Sequence, residues 1–299
     1  MMVRSYRQTL LILVMFSTWT FADEAPSDHR PVISPDGETV VFMSTREGGD
    51  WELFSISTEG KELKRLTEHE GWDGYAVWSP DSGSFLFQRD IDDSRGAYRY
   101  DVVTGRISPF VVMHDANVSA SGWSDSAGEV VLFVERNEKR DLYLSDTDGA
   151  NLRRLTDTPD ANEHDAHFSP DGRKLAFAVV FEGGSALDVM DLTTGEVQRH
   201  VTSTEYLYGL DWSPDGTQIA YTDTPNDDPD GNAELYVLDV AEAKVRRLTD
   251  DENYDHMPVW LPGGQEIMFS SYASGREEIY ILALEHGGVR KFPSGLSAQ

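Results

Sequence analysis

The 299-residue sequence predicts an all-β fold, a six-bladed β-propeller of four-stranded antiparallel blades. Three observations predict it: a tight-turn motif recurs about every 45 residues, β-rich runs flank its copies, and no stretch of helical periodicity interrupts them. The turn reads Ser34-Pro35-Asp36-Gly37, Ser79-Pro80-Asp81-Ser82-Gly83, Ser124-Asp125-Ser126-Ala127-Gly128, Ser169-Pro170-Asp171-Gly172 and Ser213-Pro214-Asp215-Gly216, with a decayed sixth copy at Leu261-Pro262-Gly263-Gly264. Successive copies lie 45, 45, 45, 44 and 48 residues apart. A fixed period of this size is one supersecondary unit copied several times.

Each unit reads as four strands. An apolar run such as Tyr75-Ala76-Val77-Trp78 or Leu210-Asp211-Trp212 leads into the turn, where proline pre-sets φ and Ser and Asp bond nearby backbone. A β-rich run follows, for example Val130-Val131-Leu132-Phe133 or Gln218-Ile219-Ala220-Tyr221. After a polar loop comes a third run such as Glu234-Leu235-Tyr236-Val237-Leu238. A second turn, as at Glu59-Gly60, precedes a fourth run ending Arg65-Leu66-Thr67, Arg154-Leu155-Thr156 or Arg247-Leu248-Thr249. Lys/Arg pairs there suit a rim strand, where charge discourages pairing with other sheets. The aromatics ahead of the turns (Trp78, Trp123, Phe168, Trp212, Trp260) are expected in the packing between blades. Radial repetition of such units, over roughly residues 28 to 293, leaves only short protected edges.

An aromatic, Ser-Pro-Asp-Gly, apolar-Ala-Phe, then Ile/Leu-Tyr and Arg-Leu-Thr resembles the TolB-type (WD40-like) propeller repeat, which also occurs in prolyl oligopeptidase-type peptidases and oligogalacturonate lyases. The resemblance covers essentially the whole chain after the leader, read as one domain over 23–299. It implies a propeller without an attached hydrolase, since no Gly-x-Ser-x-Gly elbow is present. Resemblance to TolB itself would imply an additional N-terminal α/β domain, for which this chain is expected to have no room.

Residues 1–22 read as a secretory signal: Arg4 and Arg7, an apolar core Leu10-Leu11-Ile12-Leu13-Val14-Met15-Phe16, and Thr20-Phe21-Ala22 before Asp23. Its apolar run is shorter than the roughly 20 residues of a membrane span, so no transmembrane anchor is expected after cleavage. The expected location is periplasmic or secreted, and the expected state a monomer. The chain has no cysteine and therefore no disulfide, so its stability must come from the core. Net charge is −28, or −30 without the leader's two arginines, which disfavours nucleic acid and anionic membranes through long-range repulsion.

The candidate site is the mouth of the channel. In a propeller, the segments between blades share one face with the loops joining second and third strands. Asp28-His29, Asp73-Gly74, Glu163-His164 and Asp255-His256 occupy the same two repeat positions in four blades. Six of the eight histidines (His29, His69, His114, His164, His167, His256) fall in the inter-blade segments. Asp28, Asp73, Glu163, Asp165 and Asp255 are thus candidate channel-mouth ligands, and His29, His164 and His256 candidate metal ligands. Mixed O/N donors would take a divalent ion, with Mn²⁺, Zn²⁺ or Ni²⁺ suited better than Ca²⁺. The same residues also fit structural duty, Asp capping turns and His bonding carbonyls. Asp165 and Asp211 fit hydrogen bonding within the ring of first strands. The acidic loop Asn226-Asp227-Asp228-Pro229-Asp230-Gly231-Asn232 resembles the start of a Ca²⁺ loop but lacks its spacing.

Two functions compete. Resemblance to TolB implies an envelope interaction module whose channel-mouth face holds a protein or peptide partner. Resemblance to oligogalacturonate lyases implies a metal-dependent carbohydrate-active enzyme, with His29, His164 and His256 as ligands and Asp73 or Glu163 as base. A polyanionic sugar needs basic residues at the mouth, and those segments are acidic; Arg46, Arg89 and Arg136 answer this only if no nearby acid pairs with them.

Overall fold

The computed structural model describes residues 26–47, 50–91, 94–224 and 232–294; the leader and residues 226–231 of the acidic loop lie outside the described residues. Six four-stranded antiparallel sheets follow one another in chain order. Blade one is β1 (Asp28–Ile33), β2 (Thr39–Ser44), β3 (Glu52–Ser57) and β4 (Lys64–Arg65). Blade two is β5 (Asp73–Trp78), β6 (Ser84–Ile91), β7 (Ser94–Asp101) and β8 (Ile107–Val111). Blade three is β9 (Asn117–Ser124), β10 (Glu129–Arg136), β11 (Lys139–Asp146) and β12 (Arg153–Arg154). Blade four is β13 (Ala161–Phe168), β14 (Lys174–Phe181), β15 (Gly184–Asp191) and β16 (Val197–Ser203). Blade five is β17 (Tyr208–Trp212), β18 (Gln218–Asp223), β19 (Glu234–Asp239) and β20 (Lys244–Arg247). Blade six is β21 (Asp255–Trp260), β22 (Glu266–Ser271), β23 (Glu278–Ala283) and β24 (Val289–Lys291). First strands of consecutive blades touch around the ring, β21 to β1 included, so they are the innermost. Among the described residues, no helix is long and apolar enough to cross a membrane.

The repeated turn is built locally. Ser34 Oγ donates to Asp36 Oδ1 (2.5 Å), which also accepts from Glu38 N (3.0 Å), while Gly37 N donates to Ser34 O (2.8 Å). Ser79–Asp81, Ser169–Asp171 and Ser213–Asp215 repeat the serine–aspartate contact. The serine hydroxyl and neighbouring amides hold all four aspartates below their ordinary pKa.

The Arg-Leu-Thr signature does more than charge an edge. Thr67 Oγ1 donates to Glu52 Oε2 (2.5 Å) and accepts from Leu53 N (2.9 Å), and Arg65 Nη2 donates to Glu52 Oε1 (3.0 Å). Arg247 and Thr249 grip Glu234 in the same way, and Arg154 grips Asp141. Each motif therefore clamps an acid at or near the start of its blade's third strand, which is otherwise a buried charge.

The inner-strand aromatics lie between blades. Trp78 packs with Val41, Met43 and Leu53 of blade one, and Trp212 with Ala176, Leu187 and Val189 of blade four. Their indoles donate across the same seams, Trp78 Nε1 to Val32 O (3.3 Å) and Trp212 Nε1 to His167 O (3.0 Å). Among the described residues the ring closes by packing, with no strand exchanged between blades six and one. Val40, Phe42, Phe54 and Ile56 meet Met268, Ile279, Ile281 and Phe292 there. Arg46 Nη1 donates to Ser294 O (3.0 Å), and Gly60 (φ 76°) lies so near Pro293 that a Cβ would sit 2.4 Å from its Cγ.

Candidate functional site

Repetition places one residue with positive φ in each of five blades, four of them not glycine. Arg30 (φ 49°), Tyr75 (54°), Asp165 (46°), Gly209 (64°) and Met257 (54°) all lie four residues ahead of a turn's first residue, in left-handed backbone. The pairing of first and second strands slips at this point, between His29 and Val32, Gly74 and Val77, His164 and His167, Tyr208 and Asp211, and His256 and Val259. Such a bulge bends the strand and re-aims side chains. A left-handed non-glycine costs about 1–3 kcal/mol and persists only where the surroundings impose it. Here the inner strands impose it four times over: Arg30, Tyr75, Asp165 and Met257 all line a cavity of about 600 Å³ in the channel.

Four tyrosines and an arginine stand out in its lining. Tyr75, Tyr206, Tyr208 and Tyr254 line it together with Arg30 and His164. The Arg30 guanidinium stacks 3.9 Å from the Tyr75 ring centre and lies 3.5 Å from Asp165 Oδ1. His164 stacks on Tyr206 with ring centres 4.9 Å apart, its Nδ1 3.3 Å from Asp165 Oδ2. Tyr208 and Tyr254 share a hydroxyl hydrogen bond of 2.8 Å. Burial alone would raise Asp165, but His164, Arg30 and the Gly209 amide together hold it well below the usual carboxylate range. Burial pushes the His167 imidazole down to about 4, so it is neutral at pH 7. Asp165 and Asp211 also stitch the inner ring, accepting from Gly209 N (2.9 Å) and Trp260 N (2.7 Å) of the next blade.

A second cluster lies where the ring closes. His29 Nδ1 hydrogen-bonds Glu277 Oε1, and His256 Nε2 lies 2.7 Å from the same oxygen. The two imidazoles are 5.2 Å apart between centres, and Tyr272 donates to Glu277 Oε2 (3.3 Å). Enclosure lowers the His29 pKa to about 4 against the pull of Glu277. Burial would raise Glu277, but the two histidines outweigh it and hold the carboxyl at about 2. The donor set is two imidazole nitrogens and one ionised carboxylate, whose ligand atoms lie within 4.8 Å of one another. Among the described residues this is the one group of three or more His, Asp or Glu side chains drawn that close.

The structure therefore brings His29 and His256 together and places His164 with Asp165 and Tyr206, against the cavity. The acids beside the histidines take other places. Asp28 is fully buried and ion-paired with Arg46, and Asp73 is held by Arg89 through two hydrogen bonds (2.8 and 2.6 Å). Glu163 is fully buried, and burial raises its pKa. Burial likewise raises Asp255, to about 6. Successive side chains of a strand point to opposite sheet faces, which separates each acid from the next residue. Arg46 and Arg89 are consumed by these acids, and Arg136 pairs with exposed Asp115 (3.2 Å). Arg30, Tyr75 and Tyr208 occupy repeat positions, but their residue types do not recur there, and Glu277, Tyr206 and Tyr254 fall outside the repeated pair. Glu277 was findable only as an acid in a loop between second and third strands, on the face the inter-blade segments share.

Comparison with known proteins agrees with this architecture. The family model described as the TolB beta propeller domain matches residues 20–158, 109–229 and 141–296. A Protein TolB homolog of Chlorobium luteolum is 29% identical over 163 residues, covering 54% of this chain and 36% of that protein. The chain spans between 22% and 36% of the length of the first three curated relatives it matches. Among solved structures, TolB from Acinetobacter baumannii superposes with a TM-score of 0.69 at 19% identity, over 89% of this chain and 65% of that one. An oligogalacturonate lyase from Vibrio parahaemolyticus superposes at 0.59 and 15% identity, over 86% and 90%. Likeness at such identity carries the fold alone.

Proposed function

Because the chain belongs to the TolB beta propeller domain family, we propose that it is an interaction module of the cell envelope that grips a peptide segment of a partner protein in its channel. The observation that carries this reading is the cavity of about 600 Å³ lined by Tyr75, Tyr206, Tyr208, Tyr254 and Arg30. Tyrosine and arginine are enriched at binding hot spots, because each offers a large contact area and a directed polar group, tyrosine at low entropic cost. Tyr206 and Tyr254 keep 49% and 37% of their surface exposed, so they are open to a partner. The leader-like residues 1–22 support an envelope location. A photo-crosslinking residue at Tyr206, compared with one at the outer-rim Val103, tests this in the native host. Discrete adducts at position 206, lost on Tyr254→Ala, are expected. Equal adducts at both positions, or none at 206, would overturn the reading.

A second reading, a divalent-metal-dependent carbohydrate enzyme, is favoured by His29, His256 and Glu277 lying together. The residues read as its base weaken it. Asp73 is neutralised by Arg89, and Glu163 is fully buried. Formation of an unsaturated uronide from oligogalacturonate with added Mn²⁺ would establish this reading in place of the first.

A further inference from the structure

Among the described residues the closing seam has no shared strand, and three metal-ligating side chains meet across it. His29 belongs to β1 of the first blade; His256 belongs to β21, and Glu277 immediately precedes β23, both in the last. We propose that these three hold one divalent first-row transition ion of the Zn²⁺ type, which staples blade one to blade six. This inference does not depend on what the channel binds.

Four observations support it. The three ligand atoms lie within 4.8 Å of one another, although Glu277 is 248 positions from His29. His256 is only 6% exposed, and its Nε2 sits 2.7 Å from Glu277 Oε1 without hydrogen-bond alignment, so that nitrogen is buried and unbonded. Leaving such an atom unsatisfied is costly, and coordination would satisfy it. Two imidazoles and a carboxylate are a three-ligand zinc set with a fourth position for water, whereas Ca²⁺ asks for oxygen ligands throughout. The cluster is also held from behind: Tyr272 donates to Glu277 Oε2, Asp28 N donates to Glu277 O (3.0 Å), and Trp51 packs beside His29 at 5.7 Å between ring centres. Outer groups of this kind orient ligands and tune affinity. Because the ligands come from both sides of a non-covalent seam, an ion bound there would resist its opening, and that energy would appear as folding stability.

The test uses the whole chain, stripped with chelator and titrated calorimetrically with Zn²⁺, Mn²⁺ or Ca²⁺. One Zn²⁺ per chain is expected, with Ca²⁺ giving no comparable heat. Zn²⁺ at a hundredfold excess over Kd should raise Tm by about 5 °C and slow amide exchange in β1 and β21. His29→Gln and Glu277→Gln keep side-chain size, and each should weaken Zn²⁺ by at least the 10–100-fold that outer-group losses cost. His286→Ala, in an exposed turn of blade six, should leave binding unchanged. The variants' tryptophan fluorescence checks that they remain folded. Absence of Zn²⁺ binding, or full affinity in a folded glutamine variant, overturns the site; binding without slower exchange in β1 overturns the staple.

Discussion

Replacing Trp212 by alanine tests whether the seams between blades carry the stability of the ring. Trp212 is 6% exposed and packs with Ala176, Ala178, Leu187 and Val189 of blade four against Ile219, Tyr221 and Leu238 of its own blade. Truncating a buried large aromatic costs about 3–5 kcal/mol, from lost transfer energy and the cavity left behind. The indole also donates 3.0 Å to His167 O, and leaving that carbonyl unpaired adds about 1 kcal/mol or more. Trp212→Ala should therefore cost about 4–6 kcal/mol. Trp212→Phe keeps most of the volume and isolates the hydrogen bond, at about 1–2 kcal/mol. Urea unfolding followed by circular dichroism reads both as shifts of the midpoint at constant slope. A loss below 1 kcal/mol for alanine would refute the packing argument and place Trp212 on an open surface.

Other consequences follow from the same contacts. Arg89→Ala strips the cation from fully buried Asp73 and should cost about 3–5 kcal/mol, with Asp73→Ala in the same chain recovering part; a double-mutant cycle in urea measures the coupling. The aspartates of the repeated turns have pKa values below those of the unfolded chain, so their contribution is complete above about pH 4 and fades as pH falls further. Changing Asp36, Asp81, Asp171 and Asp215 to Asn should flatten acid unfolding below pH 4, read by circular dichroism. Asp211 has the opposite sign: burial lifts it to about 7, so the folded state holds its proton more tightly and stability falls as pH rises from about 4 to 7. Asp211→Asn should remove that fall, leaving the variant more stable than the parent at pH 8; an unchanged pH profile would show that Asp211 ionises normally.

The fold was legible because its signals are local and repeated. Ser34, Asp36 and Gly37 form their turn within five residues, and the same bonds recur wherever the motif does. Inter-blade packing of Trp78 and Trp212 was legible too, because a propeller has one place for an aromatic that leads into that turn. The Arg-Leu-Thr signature was visible but only half explained. Its acid lies 13 residues back for Arg65 and Glu52, on a neighbouring strand whose pairing the sequence does not state.

The sequence by itself determined the number of blades, their strand order and the radius of each repeat position, because these follow from period, turn chemistry and strand alternation. Only the tertiary structure decided which side chains meet. Asp28 and His29 are neighbours in the chain, yet one is buried against Arg46 while the other reaches Glu277. His29, His256 and Glu277 come together because six blades rotate through a full circle, a closure that no local stretch of sequence encodes.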